Sequence, residues 1–163
     1  MTTEVITIRR ATLEDVETIL HHRHTMFRDM GMPIAPDKIE QISAAYMQWM
    51  TTTITAGQYI GFFAVTPDTE GSEQIIAGAG LWLLDWIPNL LDGNTQRGYI
   101  MNVYTEQAFR KRGLARRLVD LCVDYCRDLG IRVVVLHASD EGRPIYESMG
   151  FKQTNEMRLV FPD

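Results

Sequence analysis

The residues best suited to chemistry lie in the segment NVYTEQAFRKRGLARR, residues 102–117. Five of the chain's 16 basic residues fall within positions 110–117, which contain no acidic residue. A helical pattern begins at Leu114, and the unsatisfied N–H groups of its first turn add to the local positive charge. Gly113 lets another group approach the backbone. This combination indicates a phosphate or pyrophosphate site, while a solvated basic helix start with a turn glycine is the alternative interpretation.

A second informative segment is HASDEGRPIYESMGF, residues 137–151, which follows the apolar run 133–136. It places Tyr146 on a short helix directly after a predicted strand. Parallel strands carry their functional loops at their carboxyl ends, so Ser139 and Tyr146 are expected on the same rim as the basic loop 110–115. The two segments are therefore expected to share one site.

Both segments resemble motifs of the GCN5-related N-acetyltransferase (GNAT) family. The string RKRGLA at residues 110–115 is similar to the family's R/Q-x-x-G-x-G/A loop, and YESMGF at residues 146–151 is similar to its Y-x-x-x-G-F helix end. The element order resembles the family over nearly the whole chain. The resemblance implies acetyl-CoA (coenzyme A) as the acyl donor, with its pyrophosphate on the loop amides and its pantetheine arm paired with the preceding strand. The cofactor-binding residues that it implies are Val103, Tyr104, Thr105, Arg110, Lys111, Arg112, Gly113, Leu114, Ala115, Arg116, Ser139 and Tyr146.

The resemblance also implies a mechanism, in which a neutral amine attacks the thioester directly within a ternary complex. Tyr146, with an ordinary phenol pKa of about 10, would protonate the departing thiolate, whose pKa is about 8.5 by analogy with cysteine. A backbone N–H near Val103 would polarise the acetyl carbonyl. Tyr146 is thus the predicted catalytic residue, and an amphipathic core aromatic is the alternative for it.

Two positions depart from the family pattern. Ser139 stands where the family often has an asparagine, although its hydroxyl can still donate one hydrogen bond. Val134 stands where some relatives carry a carboxylate base, so the resemblance supplies no base. The candidates that remain for the general base are Glu106, Asp85, Asp92 and water.

The acceptor is expected opposite the donor, in a pocket formed by the connection 27–36, Trp82, Trp86 and the loop 85–98. These segments contain no strong acidic run, so a polycationic acceptor is not indicated. A primary amine of a small molecule is the prediction. The alternatives are a non-catalytic acyl-CoA-binding sensor module and an enzyme that acetylates protein N-termini or lysines.

The histidines invite a metal interpretation, which their spacing does not support. Of His21, His22 and His24, only His21 and His24 share a helical face, and no third ligand is evident. A surface histidine cluster without a metal is therefore predicted. His137 is interpreted either as pocket lining or as a core histidine.

The elements that must position these residues follow the order β-α-α-β-β-β-α-β-α-β. Thr12 and Asp15 form a predicted capping box at the first helix, Pro36 opens the second, and an apolar face beginning at Leu114 defines the third. The predicted strands cover residues 5–9, 59–66, 75–84, 99–105, 133–136 and 151–161, and a fourth helix covers residues 144–149. The β-branched run 133–136 is typical of a strand covered on both faces. We predict an α/β (α+β) fold with a mixed, mostly antiparallel sheet and helices on both faces, to which the resemblance adds a splayed parallel strand pair.

Length, composition and charge argue against several other classes of protein. A chain of 163 residues fits one domain, 1–163. The net charge of −5 and the pI near 5.3 argue against nucleic-acid binding, and neither GxxxxGK[ST] nor GxGxxG after a strand is present. No apolar stretch is long enough for a membrane span, and the opening residues MTTE lack secretory-signal character, so a cytoplasmic location is predicted. The oligomeric state, monomer or homodimer, stays open.

Overall fold

The structure, a computed structural model, describes residues 5–33 and 35–162. Residues 1–4, on which the localisation prediction rests, and Ile34, within the predicted acceptor connection, lie outside this part. The strands are β1 (Thr7–Arg10), β2 (Tyr59–Pro67), β3 (Glu73–Asp85), β4 (Gln96–Thr105) and β5 (Val134–Leu136). The helices are α1 (Val16–Asp29), α2 (Pro36–Thr55), α3 (Leu114–Asp128) and α4 (Arg143–Ser148). Among the described residues, no helix is both long and apolar enough to cross a bilayer.

The predicted capping box forms at the start of the first helical segment. The Thr12 amide donates to Asp15 Oδ2 at 2.8 Å, and the Glu14 amide donates to Thr12 Oγ1 at 3.3 Å. One 3₁₀ turn separates this cap from α1. Arg9 binds both oxygens of the Asp15 carboxylate, at 2.8 and 2.9 Å, and this pairing lowers the pKa of Asp15. The cap therefore also ties α1 to β1.

The five strands form one mixed sheet in the order β1-β2-β3-β4-β5. The first three neighbouring pairs are antiparallel, and β4 and β5 are parallel, which confirms the predicted sheet. The parallel register runs only from Gly98 opposite Val134 to Ile100 opposite Leu136. Because β4 continues to Thr105, its last five residues run beyond β5. The predicted opening between these two strands is therefore present.

Helices cover both faces of the sheet. On one face, α3 packs Leu118, Cys122 and Cys126 against core residues of β2, β3 and β4. A Cβ atom on Gly98 would lie 2.5 Å from Cys126 Sγ, so glycine permits the close approach of α3 to β4. On the other face, α1 and α2 bury a second core that includes Ile19.

Two strand predictions need correction. The predicted strand 151–161 is wrong, because residues 151–162 form neither strand nor helix, and Met157 is 94% exposed. Its apolar composition resembles a strand, but a strand needs a neighbouring edge to pair its N–H and C=O groups. The run 133–136 was predicted to be covered on both faces. It forms β5 at the edge of the sheet, with all three residues half-buried.

Candidate active site

A β-bulge interrupts β4 at the point where β5 has ended. Gly80 of β3 lies opposite Met101, and Gly78 lies opposite Tyr104. Two residues of β4, Asn102 and Val103, therefore face the single β3 residue between those glycines. Asn102 adopts φ 55°, in the left-handed region that asparagine tolerates better than most residues. The bulge changes the direction of the backbone at the mouth of the opening.

The Asn102 side chain is fixed in a buried polar network. Its Nδ2 donates to the hydroxyl oxygens of Tyr46 at 2.6 Å and Tyr59 at 3.2 Å. Its Oδ1 accepts a hydrogen bond from Arg23 at 3.3 Å. A Cβ atom at position 80 would lie 1.9 Å from the Tyr59 hydroxyl oxygen, so only glycine there leaves room for this phenol. The network holds the bulge from the α1 and α2 face.

The end of β4 presents an open edge where the pantetheine arm was predicted to bind. On the side facing β5, residues 103–105 have no strand partner within the described part of the chain. The Thr105 carbonyl is already engaged, since it accepts a hydrogen bond from Arg110 Nε at 3.0 Å. Val103 and Tyr104 therefore offer the freer part of this edge.

The basic loop has the backbone geometry of an anion site. Lys111 has φ 63° and Gly113 has φ 76°, and α3 begins at Leu114. Left-handed residues alternating with ordinary ones turn successive N–H groups toward one side, and the first helical turn adds its own free N–H groups. A Cβ atom on Gly113 would meet no atom within 4 Å. The space beside this glycine is therefore open to a ligand.

The arginines of the loop differ in how they are held. Arg110 forms an ion pair with Asp29 at the end of α1, and its guanidinium lies 5.7 Å from the Tyr104 ring centre. Arg112 lies over the Phe109 ring and donates to the Ala108 carbonyl. These side chains anchor the loop to the protein, so an anion in the loop would meet mainly its backbone amides.

The helix that carries Tyr146 lies against the start of α3. Arg116 NH1 donates to Ser148 Oγ at 2.9 Å, which joins the two motif segments. Burial raises the pKa of Tyr146, and its ring packs 6.0 Å from that of Phe151. The Tyr146 hydroxyl has no hydrogen-bond partner within the described residues. It is thus a protonated phenol with a free donor at neutral pH.

Ser139 caps the loop that leads into α4. Its Oγ accepts a hydrogen bond from the Gly142 amide at 3.1 Å, and a Cβ atom on Gly142 would lie 2.9 Å from the Tyr146 ring. Because its oxygen is the acceptor in this bond, the Ser139 hydroxyl hydrogen stays available to a ligand.

The three carboxylates considered as bases occupy different environments. Glu106 follows the end of β4, and its Oε2 accepts a 3.4 Å hydrogen bond from the Tyr104 hydroxyl. Asp85 lies at the opposite end of the β3–β4 ladder, paired in register with Gln96. Asp92 is buried, and the backbone N–H of Arg132, donating at 2.7 Å, contributes to holding its pKa below the usual value. Asp92 therefore fastens a loop, and Glu106 is the carboxylate at the bulge end.

The predicted surface histidine cluster is wrong for His22. This side chain is 3% exposed and packs 4.8 Å from the ring of Tyr104, with Nε2 3.8 Å from Glu106 Oε1. Burial lowers the pKa of His22 to about 4, so it is neutral at physiological pH. His21 is exposed and His24 contacts Ser43 Oγ at 3.2 Å. In the described ranges, no three His, Cys, Asp or Glu side chains are grouped to hold a metal.

A row of aromatic rings crosses the α1 and α2 side of the sheet. Successive ring centres are separated by 6.2, 5.2, 6.3 and 5.5 Å. The members of this aromatic row are, in order, Tyr46, Trp49, Trp82, Tyr99 and His137.

The row includes one of the two tryptophans predicted to line the acceptor pocket. Trp82 occupies its centre. Trp86 instead lies beyond the far end of β3, with the Arg97 guanidinium 3.5 Å from its ring centre. His137 is exposed, which fits the prediction of a lining residue and not of a core histidine.

Sequence analysis missed the polar network around Asn102. The signal that was present is an asparagine inside a strand-like run, a residue type that is depleted in strands and enriched at positive φ. Its partners Arg23, Tyr46 and Tyr59 come from three other elements. No periodicity in the sequence connects them.

The described chain thus has an opening beyond its parallel strand pair, a glycine loop at a helix start and a phenol on the following helix, which are the features that the two sequence motifs predicted. Residues 19–151 match the Acetyltransferase (GNAT) family, and the chain belongs to that family.

Two curated relatives match part of the chain. Glucosamine 6-phosphate N-acetyltransferase of Trypanosoma brucei brucei is 32% identical over 88 residues, which are 53% of this chain and 57% of that enzyme. The enzyme of the same name from Arabidopsis thaliana is 32% identical over 53 residues, or 32% of this chain and 36% of that enzyme. The aligned part of the chain therefore spans little more than half of the length of the first relative and about a third of the length of the second.

Solved structures match over almost the full chain. A GCN5-related N-acetyltransferase from Ralstonia eutropha JMP134 has a TM-score of 0.85 and 28% identity, covering 96% of this chain and 99% of that one. A predicted acetyltransferase with acetyl-CoA from Clostridium acetobutylicum has a TM-score of 0.85 and 25% identity, covering 96% of each chain.

Proposed function

We propose that this protein, acting as one domain, transfers the acetyl group of acetyl-CoA to a primary amine of a small molecule. The amine attacks directly within a ternary complex. The observation that carries this proposal is the 2.9 Å contact between Arg116 NH1 and Ser148 Oγ. It joins the start of α3, which follows the proposed anion loop, to the helix that carries Tyr146.

The loop and the open strand edge fit the acyl donor. The left-handed residues Lys111 and Gly113 direct amides toward the open space beside Gly113, where a pyrophosphate would lie. The unpaired edge of Val103 and Tyr104 would bind the pantetheine amides as a neighbouring strand would. When bound there, acetyl-CoA supplies an activated acyl group. The Clostridium relative, whose structure contains acetyl-CoA, supports this choice of donor.

In the proposed reaction, the amine lone pair forms a bond to the acyl carbon, and the C–S bond breaks with its electron pair leaving on sulfur. Tyr146 gives its phenolic proton to that sulfur, and solvent restores the proton to Tyr146. The Val103 N–H at the bulge donates a hydrogen bond to the acyl oxygen while negative charge develops there. The raised pKa of Tyr146 keeps the phenol protonated until the thiolate forms.

The amine must lose a proton during the reaction, and we propose that Glu106, directly or through water, receives it. Glu106 lies at the bulge end of β4, whereas Asp85 lies at the other end and Asp92 binds backbone amides. Neutral His22, 3.8 Å from Glu106, leaves that carboxylate without a neighbouring imidazolium charge.

An amine panel tests the function. The purified protein is incubated with acetyl-CoA and one compound at a time from a set of small primary amines, amino acids and lysine- or N-terminus-bearing peptides, and free thiol is measured. Release of thiol with a small amine, above the rate without acceptor, is the expected result. Turnover with peptides alone would assign the protein-acetylating alternative. Tight acetyl-CoA binding without turnover of any compound would favour the non-catalytic sensor.

A further inference from the structure

Two arginines contact the aromatic row, one near each end. The Arg23 guanidinium lies 4.7 Å from the ring centre of Tyr46, and Arg158 donates to His137 Nε2 at 2.8 Å. Neither arginine has a carboxylate within 4.0 Å among the described residues, whereas Arg9, Arg110 and Arg127 all do. The row therefore carries two cations without direct neutralisation, in a chain whose net charge is −5.

Both cations act on the same phenol. Burial raises the pKa of Tyr99, while the charges of Arg23 and Arg158 act in the opposite direction. Glu156 also faces this phenol and contributes a single negative charge. Arg158 is the one of these cations that the hydrogen bonds place next to Tyr99, through His137.

The hydrogen-bond directions leave a donor free at this point. A guanidinium can only donate, so His137 Nε2 is the acceptor of the Arg158 bond and the neutral ring carries its proton on Nδ1. That Nδ1–H donates to the Tyr99 oxygen, 2.5 Å away. The Tyr99 hydroxyl hydrogen is then free to bind a ligand. Tyr99 and Arg158 together offer O–H and N–H donors to one group.

The row is on the side of the sheet opposite the donor elements. Trp82, Tyr46 and Trp49 pack with the core under α1 and α2, whereas Tyr146 packs with the core under α3. Arg23 also contacts Asn102 in the bulge, so this end of the row reaches the reacting centre. An acceptor lying along the row would present its amine at the bulge.

We propose that the acceptor is a primary amine that also carries an anionic group, a carboxylate or a phosphate, held by Arg158 and the Tyr99 hydroxyl at the His137 end of the row. This inference rests on the proposed acetyltransferase function. Guanidinium groups match both anions through paired hydrogen bonds, and the aromatic rings cover the apolar part of the molecule. The same positive charge disfavours the ammonium form of the amine, which promotes the neutral nucleophile. A diamine would be repelled.

The test compares acceptors that differ in one charged group. Alanine is set against alaninamide, and O-phosphoethanolamine against ethanolamine, with 1,4-diaminobutane as the dicationic compound. We expect kcat/KM to be at least tenfold higher for one anionic member than for its uncharged partner, and the pair that shows the difference identifies carboxylate or phosphate. Equal or better use of the uncharged compounds or of the diamine would overturn the inference and leave the acetyltransferase function intact. Absence of turnover with the full amine panel would instead contradict the function.

Two variants assign the effect to the proposed anion site. Arg158→Gln and Tyr99→Phe should raise KM for the preferred anionic amine by roughly 10- to 100-fold, the range for a hydrogen bond to a charged group. KM for the uncharged partner should stay within about twofold. Arg28→Gln, on the same helix as Arg23, and Arg127→Gln, on α3, remove one exposed positive charge elsewhere and serve as controls. Binding of the anionic amine to the coenzyme A complex, measured by calorimetry, provides a readout independent of turnover. Equal losses in Arg158→Gln, Arg28→Gln and Arg127→Gln would show a general charge effect and overturn the inference.

Discussion

The Asn102 side chain donates a 2.6 Å hydrogen bond to the Tyr46 hydroxyl while its own backbone stands at φ 55°. One residue thus provides both the conformation that forms the bulge and the contact that holds the bulge in place. The bulge lies where β4 has passed the end of β5, so the same residue shapes the mouth of the proposed acyl site.

Replacing Asn102 should separate its two contributions. Asn102→Gly keeps the left-handed backbone accessible but removes the side-chain hydrogen bonds, which should lower the free energy of unfolding by about 1–3 kcal/mol. Asn102→Ala should lose about 1 kcal/mol more, because alanine disfavours positive φ. Urea denaturation of both variants measures the difference. An equal loss of unfolding free energy in both variants would show that alanine adopts this backbone conformation without a cost in stability.

Gly113 and Gly130 form a matched pair at the two ends of α3. They have φ 76° and 75°, and a Cβ atom on either would meet nothing within 4 Å. Valine at either position should therefore destabilise the protein to a similar extent. Acetyl-CoA at 100 times its Kd should stabilise the parent by about 2.7 kcal/mol, or roughly 5–10 °C in Tm. Gly113→Val should lose this shift and Gly130→Val should retain it. Retention of the full shift in Gly113→Val would place the pyrophosphate elsewhere.

Tyr146→Phe should slow chemistry without weakening donor binding. A positioned general acid contributes about 10²- to 10⁴-fold, so kcat should fall by that order while the Kd of acetyl-CoA stays nearly constant. Because burial raises the pKa of Tyr146, its ionisation should not reduce kcat below about pH 10. Tyr125→Phe, which removes a hydroxyl from α3, is the control. Parent-like kcat in Tyr146→Phe, with chemistry rate-limiting, would make Tyr146 a wall residue.

His22 should make stability depend on pH between its folded and unfolded pKa values. The folded pKa is about 4 and the unfolded value about 6.5, so the unfolded state binds a proton in this window and the folded state does not. The free energy of unfolding should therefore fall as the pH drops below 6.5, by about 2 kcal/mol between pH 7.5 and pH 5. Denaturant titrations at the two pH values measure it. His22→Gln should remove most of the difference, while His21→Gln should retain most of it, because burial is the larger cause of the lowered His22 pKa and the charge of His21 the smaller one.

Local signals in the sequence determined the elements and the two motifs. The Thr12 cap, Pro36 at the start of α2 and the start of α3 at Leu114 all formed as predicted. These features depend on backbone groups within one or two turns, and local residue types report on them directly. The family motifs likewise specified that the glycine loop and the tyrosine helix would meet.

Tertiary structure decided which side chains lie near the opening and which are held elsewhere. The predicted final strand, residues 151–161, does not form, and His22 is buried. Arg110 forms an ion pair with Asp29, which is 81 residues away in the chain. Asp92 was a candidate base, but its carboxylate accepts a hydrogen bond from the backbone amide of Arg132, 40 residues away in the chain. Apolar alternation and charge indicate which kinds of contact a residue can form, but they do not indicate which other residue it contacts. Pairing, burial and pKa are properties of contacts between distant segments, and those contacts exist only after the sheet has brought the segments together.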